Sequence, residues 1–236
     1  MRDSGVAVID VSKLKFGWKA HTPILDVAQL SVSRGERVFI HGPSGSGKTT
    51  LLSVLGCIVR PQFGNVRLFS QDIGELSSSG RDRFRVDHIG FLFQMFNLIP
   101  YLSVINNVIL PCRFSEQRME NAGGRNNIKD EARRLLKHLE LTDDLYDRKA
   151  TELSVGQQQR VAAARALIGQ PGLIIADEPT SALDSDTRGA FLDLLFTECQ
   201  KNQTTILFVS HDMALAPHFD RQIALTEIND ASESAA

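Results

Sequence analysis

Residues 42–49 read Gly42-Pro43-Ser44-Gly45-Ser46-Gly47-Lys48-Thr49 and fit the pattern G-x-x-x-x-G-K-[ST]. Glycines at these positions let the backbone curl, so that successive N–H groups converge on one point and form a nest for phosphate oxygens. A strand, RVFIH, precedes the loop, and a helix from Gly47 to about Ile58 follows it. That helix aims its positive end, about half an elementary charge, at the same point. Lys48 has the reach for the β and γ phosphates of a nucleoside triphosphate, and the Thr49 hydroxyl is a magnesium ligand of the right hardness. A glycine-rich turn that binds nothing gives no reason for strand, lysine, threonine and helix to occur together. The loop alone specifies a phosphate-loop nucleoside triphosphatase and leaves kinases and GTPases open.

A second group of residues carries acid–base chemistry. Leu173-Ile174-Ile175-Ala176 is an apolar run that ends in Asp177 and Glu178, with Pro179 behind them. A buried strand delivers such acids to the C-terminal edge of a parallel sheet, where phosphate loops also lie. Asp177 then suits a magnesium, and Glu178 suits the attacking water. Acids capping a strand before a proline turn would look the same in isolation; the phosphate loop tips the balance. Gln94 ends a strand, so its amide is placed for a metal or a water. His211 directly follows the strand TTILFVS, at the same edge. Leu153-Ser154-Val155-Gly156-Gln157 opens a strongly helical stretch. Free N–H groups and a serine hydroxyl there make either an anion site or an ordinary N-cap.

These residues need a scaffold. Residues 6–16 and 25–41 are β-rich, with Arg34-Gly35 as the turn between the second and third strands. Residues 64–69 and 89–94 read as further strands. From Tyr101 to Ala150 apolar residues fall at helical spacing: Ile128, Ala132, Leu135, Leu136 and Leu139 trace one helix face. Asn121 to Asn127, with Gly123-Gly124, is expected to be a turn or mobile loop. Beyond Thr151 a helix through QQQRVAAARALI, a strand at 173–177, a helix from about Asp186 to Gln200 and a strand at 204–210 restore the alternation. The two late strands are almost wholly apolar, as strands covered on both faces are. The tail 231–236 is small, polar and expected to be disordered.

Composition removes several classes. The chain of 236 residues is 42% hydrophobic and 23% charged, with net charge −2, which is ordinary for a globular domain and gives no basic footprint for nucleic acid. Cys57, Cys112 and Cys199 lack metal-ligand spacing and read as small core residues in a reducing compartment. No apolar run approaches the ~20 residues a bilayer span requires. The N-terminal stretch, broken by Asp10, reads as a strand start rather than a signal peptide. The expectation is a soluble protein.

Taken in order, the phosphate loop, Gln94, LSVGQ, LIIADEP, SALD at 181–184 and His211 resemble the nucleotide-binding domain of ABC ATPases, across essentially the whole chain. The resemblance implies an α/β phosphate-loop core with a mainly parallel sheet, an N-terminal antiparallel β part and an inserted helical part. One domain would span 1–236, with 1–94 and 173–230 as core and about 95–172 as the helical insertion. It implies ATP and magnesium as ligands, the metal on Thr49, Gln94 and Asp177. Lys48, Glu178 and His211 would be the catalytic side chains, and Thr50 would extend the loop's nucleotide contacts. Ser154, Val155, Gly156, Gln157 and Asp184 would act on ATP held by the other subunit of a homodimer. Phe16 is the best match to the aromatic that stacks on adenine, with Trp18 the runner-up.

The stretch 89–111, IGFLFQMFNLIPYLSVINNVILP, is similar to the subgroup of lipoprotein-releasing and macrolide-exporting ATPases. That similarity implies a membrane-spanning partner docking near Gln94 to Leu110, on an exposed part of Met95, Phe96, Leu98, Ile99 and Tyr101. The protein would then sit in the cytoplasm, on the inner face of the membrane. Alternatives are an ATPase driving a membrane regulator that transports nothing, as in cell division, or a soluble ABC ATPase of nucleic acid or ribosomes. The latter class uses coiled coils or tandem cassettes, which this chain lacks. The chain departs from the usual LSGGQ at Val155. Valine disfavours positive φ, so an ordinary helical backbone is expected there, with hydrolysis retained. The usual Asp-Gly hairpin near the C-terminus is replaced by Glu227-Ile228-Asn229-Asp230, a difference to which the sequence assigns no function.

Overall fold

Alternating burial along the first strand sets the scene for the fold: Val8, Ile9, Val11, Leu14 and Phe16 are buried while Asp10 and Lys15 face solvent. A computed structural model describes residues 7–19, 22–181, 183 and 185–231. Asp184, and with it the SALD segment in part, lies outside the described residues, as does the tail 232–236.

The chain divides into two units, residues 1–85 with 205–236 and residues 86–204. The first unit begins with strand β1 (Ala7–Phe16), β2 (Leu25–Ser33) and β3 (Arg37–His41). Helix α1 (Lys48–Leu55) follows, then β4 (Phe63–Leu68), β5 (Gln71–Asp72) and α2 (Ser78–His88), which runs up to and across the division. The second unit holds β6 (Ile89–Leu92), α3 (Val104–Ile109), α4 (Glu116–Asn121), α5 (Gly124–His138), α6 (Val155–Leu167), β7 (Leu173–Asp177) and α7 (Ser185–Lys201). The chain then returns to the first unit with β8 (Thr205–Val209), β9 (Arg221–Ala224) and α8 (Leu225–Ile228).

In the first unit β2, β1, β4 and β5 form an antiparallel sheet in that order. Register is fixed by pairs such as Val11 with Leu30 and Leu14 with Val27, which place apolar side chains on one face. Strand β3 pairs in parallel with β8 on one side and β9 on the other. Phe39, Phe208 and Phe219 pack together at the centre with ring centroids 5.0 to 6.2 Å apart. This rigid strand, β3, is what launches the loop at 42–49.

In the second unit β6 and β7 pair in parallel, Gly90 opposite Ile174. A side-chain carbon at Gly90 would lie 2.3 Å from the Ala166 carbonyl oxygen, so glycine lets α6 lie directly on β6. Both ends of α6 are tied. Ser154 and Gln157 form a reciprocal capping box at its start. At its end the buried Arg118 guanidinium donates to the carbonyls of Ala166 and Ile168, at 2.6 and 2.9 Å, meeting the negative end of the helix with a cation. Burial pulls the Arg118 guanidinium down to about 10, outweighing the opposing influence of Cys112 and Asp87.

One expectation changes, and one helix has no counterpart in the sequence reading. Residues 124–127 are the first turn of α5 rather than loop; Gly123, with φ 87, is its N-cap and offers no side-chain cap that the sequence would advertise. Helix α2 has no buried residue and hence no apolar stripe to reveal it. The stripe Ile128, Ala132, Leu135, Leu136 and Leu139 is buried as expected, and all three cysteines are buried free thiols. Among the described residues no helix is long and apolar enough to cross a membrane.

Candidate active site

The phosphate-loop backbone needs glycine at two positions. Gly45 has φ 81, yet a side-chain carbon there would meet nothing within 4 Å: the demand is conformational, and the loop faces open space. Gly47 caps α1 with φ 97 and ψ 7, and a side-chain carbon there would sit 3.1 Å from both the Ile24 carbonyl oxygen and Leu25 Cδ2. Lys48 opens α1. Its Nζ donates to the carbonyl oxygens of Gly42 and Pro43, both at 2.7 Å, which occupies two of an ammonium's three N–H groups. The Ser46 hydroxyl is buried and has no hydrogen-bond partner among the described residues. A buried hydroxyl left so costs about 1–3 kcal/mol, and a phosphate oxygen is an acceptor that would satisfy it. Pro43, Ser44 and Thr49 are exposed, while Thr50 is buried behind them.

Trp18 reaches helix α1 through Thr50 and packs against Phe16, and the two aromatics differ in burial. Phe16 is 6% exposed, packed edge-on against Trp18 with ring centroids 5.1 Å apart and planes at 89°. Trp18 is 60% exposed, and its Nε1 donates to Thr50 Oγ1 at 3.3 Å. The Phe16 ring thus has little face open to a planar ligand, while most of the Trp18 ring is open. His211 follows β8 and is exposed; next to it, Asp212 accepts the Ala214 N–H in a short turn.

In the second unit Asp177 is the last residue of β7, and both it and Glu178 are half-buried. Glu178 has φ 48, a left-handed conformation that a non-glycine residue adopts only when its surroundings enforce it. Gln94 is exposed just beyond β6. After it, Phe96 and Asn97 both take positive φ, 57 and 49. Their carbonyls are held by Arg165 of α6, NH2 to Phe96 at 2.5 Å and NH1 to Asn97 at 2.6 Å. Met95 at 80% and Tyr101 at 74% are exposed, Leu98 and Ile99 half-buried and Phe96 buried, so the stretch is part surface and part core.

At the start of α6, Ser154 Oγ accepts the Gln157 N–H at 3.3 Å, and Gln157 Oε1 accepts the Ser154 N–H at 2.9 Å. Both bonds use the side-chain acceptors, so the capping box engages neither the serine O–H nor the glutamine NH2 as donor. Val155 is the first helical residue, 49% exposed and free of positive φ, as its type demands. Gly156 also has an ordinary φ, and a side-chain carbon there would meet only Leu183 Cδ2 at 3.8 Å. A methyl there would therefore meet only ordinary van der Waals contact within the subunit.

Two long-range side-chain ties beside these residues escape sequence reasoning. Arg165 reads as one polar residue in an apolar helix, and its partners lie 68 and 69 residues away. Asn229 reads as part of a terminal turn, yet its side-chain amide bonds to the Ser46 carbonyl 183 residues earlier. Neither carries a local signal.

A family model described as ABC transporter matches residues 25–181. The lipoprotein-releasing system ATP-binding protein LolD of Syntrophotalea carbinolica is 38% identical over 226 residues, covering 94% of this chain and 96% of that protein. The macrolide export ATP-binding/permease protein MacB of Syntrophobacter fumaroxidans is 42% identical over 194 residues; there the match covers 82% of this chain but only 26% of the longer relative. Among solved structures, the dimer of the ATP-binding cassette MJ0796 in a post-hydrolysis state with ADP and Pi superposes with TM-score 0.82 at 35% identity, covering 94% of this chain and 95% of that one.

Proposed function

This chain is a member of the ABC transporter ATPase family, and from that footing we propose that it hydrolyses ATP as a homodimer and drives a separate membrane-spanning subunit. The observation that carries the reading is the loop at 42–49, with its open glycine face, its cation on α1 and its unpartnered Ser46 hydroxyl. A β-phosphate on the loop's N–H groups would use what the protein leaves unused. Thr49, Gln94 and Asp177 are oxygen donors of the kind magnesium takes, and the metal would supply charge for the phosphate oxygens.

In this proposal Trp18 carries the adenine and residues 42–50 carry the phosphates. Glu178 accepts a proton from a water whose oxygen bonds the γ-phosphorus; the bond to the bridging oxygen breaks, leaving ADP and phosphate. His211 hydrogen-bonds the γ-phosphate and orders that water. Ser154, Gly156 and Gln157 act on the ATP of the other subunit, so neither subunit alone is complete; Asp184 belongs to the same proposal. Met95 and Tyr101, exposed beside Gln94, suit a helix from the membrane subunit. Similarity to the lipoprotein-releasing and macrolide-export proteins supports extraction or export as the work done, from the cytoplasmic face.

The test is the order of the reaction. Hydrolysis is expected to rise more steeply than linearly with protein concentration. Glu178→Gln with ATP should run as a dimer by light scattering, and Lys48→Ala should not. Strictly linear activity in a verified monomer overturns the composite site.

A further inference from the structure

Asn229 ends the short helix α8 and is 1% exposed. Its Oδ1 accepts the Asp26 N–H at 2.7 Å. Its Nδ2 donates to the Ile24 carbonyl at 2.9 Å and to the Ser46 carbonyl at 3.1 Å. Its backbone pairs with Val27 in an isolated antiparallel bridge. We propose that Asn229 is a positioning residue for the nucleotide, holding the peptide between Ser46 and Gly47 so that the Gly47 N–H is presented to a phosphate. The inference rests on the reading of residues 42–49 as the ATP phosphate loop.

The argument runs through the planarity of one peptide. Carbonyl and N–H of a trans peptide point in opposite directions. Tying the Ser46 oxygen to Asn229 therefore turns the Gly47 N–H away from the clamp. Without a tie, this peptide would be softly anchored, because Gly47 has the torsional freedom of glycine and φ 97. The clamp is itself determined. One partner is a donor and two are acceptors, so the amide has a single orientation that satisfies all three. It is anchored to the start of β2 by two of those bonds, which leaves the third to act on the loop. Space is matched as well: a side-chain carbon at Gly47 would lie 3.4 Å from Asn229 Nδ2. A residue from the far end of the chain thus sets the geometry of a loop that its neighbours in sequence cannot hold.

Asn229→Asp is the discriminating variant. It keeps the acceptor for the Asp26 N–H, loses both donations and sets an anionic oxygen against the Ser46 carbonyl. Affinity for MgATP and MgADP, measured by calorimetry, should fall about tenfold, the worth of one charge-opposed hydrogen bond. The KM for ATP should rise in step, with kcat at saturation retained. Leu30→Ala, a buried β2 position away from the loop, is the control for plain destabilisation. It should lower Tm and leave both affinities unchanged. If Asn229→Asp does not fold, Asn229→Ala carries the same comparison. A folded Asn229 variant with wild-type affinity overturns the positioning role while ATP binding stands. Wild-type protein that binds MgATP no better than Lys48→Ala overturns the phosphate-loop reading, and this inference with it.

Discussion

The Arg165 guanidinium sits under the Phe96 carbonyl at 2.5 Å, joining the helix that begins at Ser154 to the turn that follows Gln94. Burial leaves the cation only carbonyl dipoles for company and pulls it down to about 10. Left-handed backbone costs roughly 1–2 kcal/mol per non-glycine residue, and here two in succession are held by one side chain.

Arg165→Ala should therefore loosen that turn more than it loosens the unit. A loss of about 2–4 kcal/mol is expected from two stranded carbonyls. Hydrogen exchange at residues 95–99 should accelerate well ahead of α5 and α7. Uniform acceleration across the unit would mean that Arg165 only fills space.

Trp18 is the chain's single tryptophan, which makes its environment directly visible. ATP should quench or shift its fluorescence. Trp18→Ala should weaken ATP binding while leaving Tm nearly unchanged, since the ring is 60% exposed. Phe16→Ala should do the reverse and cost about 3–5 kcal/mol of stability, as emptied aromatic sites do. Reversed outcomes would return the adenine to Phe16.

Glu198, 1% exposed on α7, supplies a pH prediction. Burial alone would raise its pKa, but hydrogen bonds and charge from Arg134 and Lys201 outweigh it and hold the carboxyl at about 2. A depressed folded pKa means that the stabilisation is full above the unfolded value of 4.5 and is lost as pH falls towards 2. Wild type should lose stability steeply over that window in urea titrations. Glu198→Gln should start less stable at neutral pH and show a flatter profile.

What was legible in the sequence were features whose cause is local. The strand and helix on either side of the glycine loop are determined by near neighbours, as is the box of Ser154 and Gln157. Helix α2 was hidden because nothing on it is buried. The first turn of α5 was hidden because a glycine caps it. The difference in burial between Phe16 and Trp18 was hidden because alternation does not separate two aromatics two residues apart. Asn229 and Arg165 act across 183 and 69 residues, and a side chain's distant partner leaves no spacing to read.

Val155→Gly should be gentle to the fold. The position is exposed at the first turn, where glycine costs at most about 1 kcal/mol. The effect belongs on the dimer: ATP-dependent association of the Glu178→Gln protein, measured by sedimentation, should change with the valine's removal while monomer melting barely moves. Equal association with and without the valine would make residue 155 a bystander.

The bonds from Lys48 to the carbonyls of Gly42 and Pro43 also bear on timing. Fixing a lysine side chain costs up to about 2 kcal/mol of rotational freedom. Here that cost falls on folding rather than on capture of the ligand, because the backbone itself holds the ammonium. On the proposed reading, a nucleotide arriving at this loop would meet a charge already standing in place, and one leaving would not have to let it collapse. For a machine that fills and empties its site on every stroke, a cation anchored to its own loop would spare both halves of the cycle that reordering.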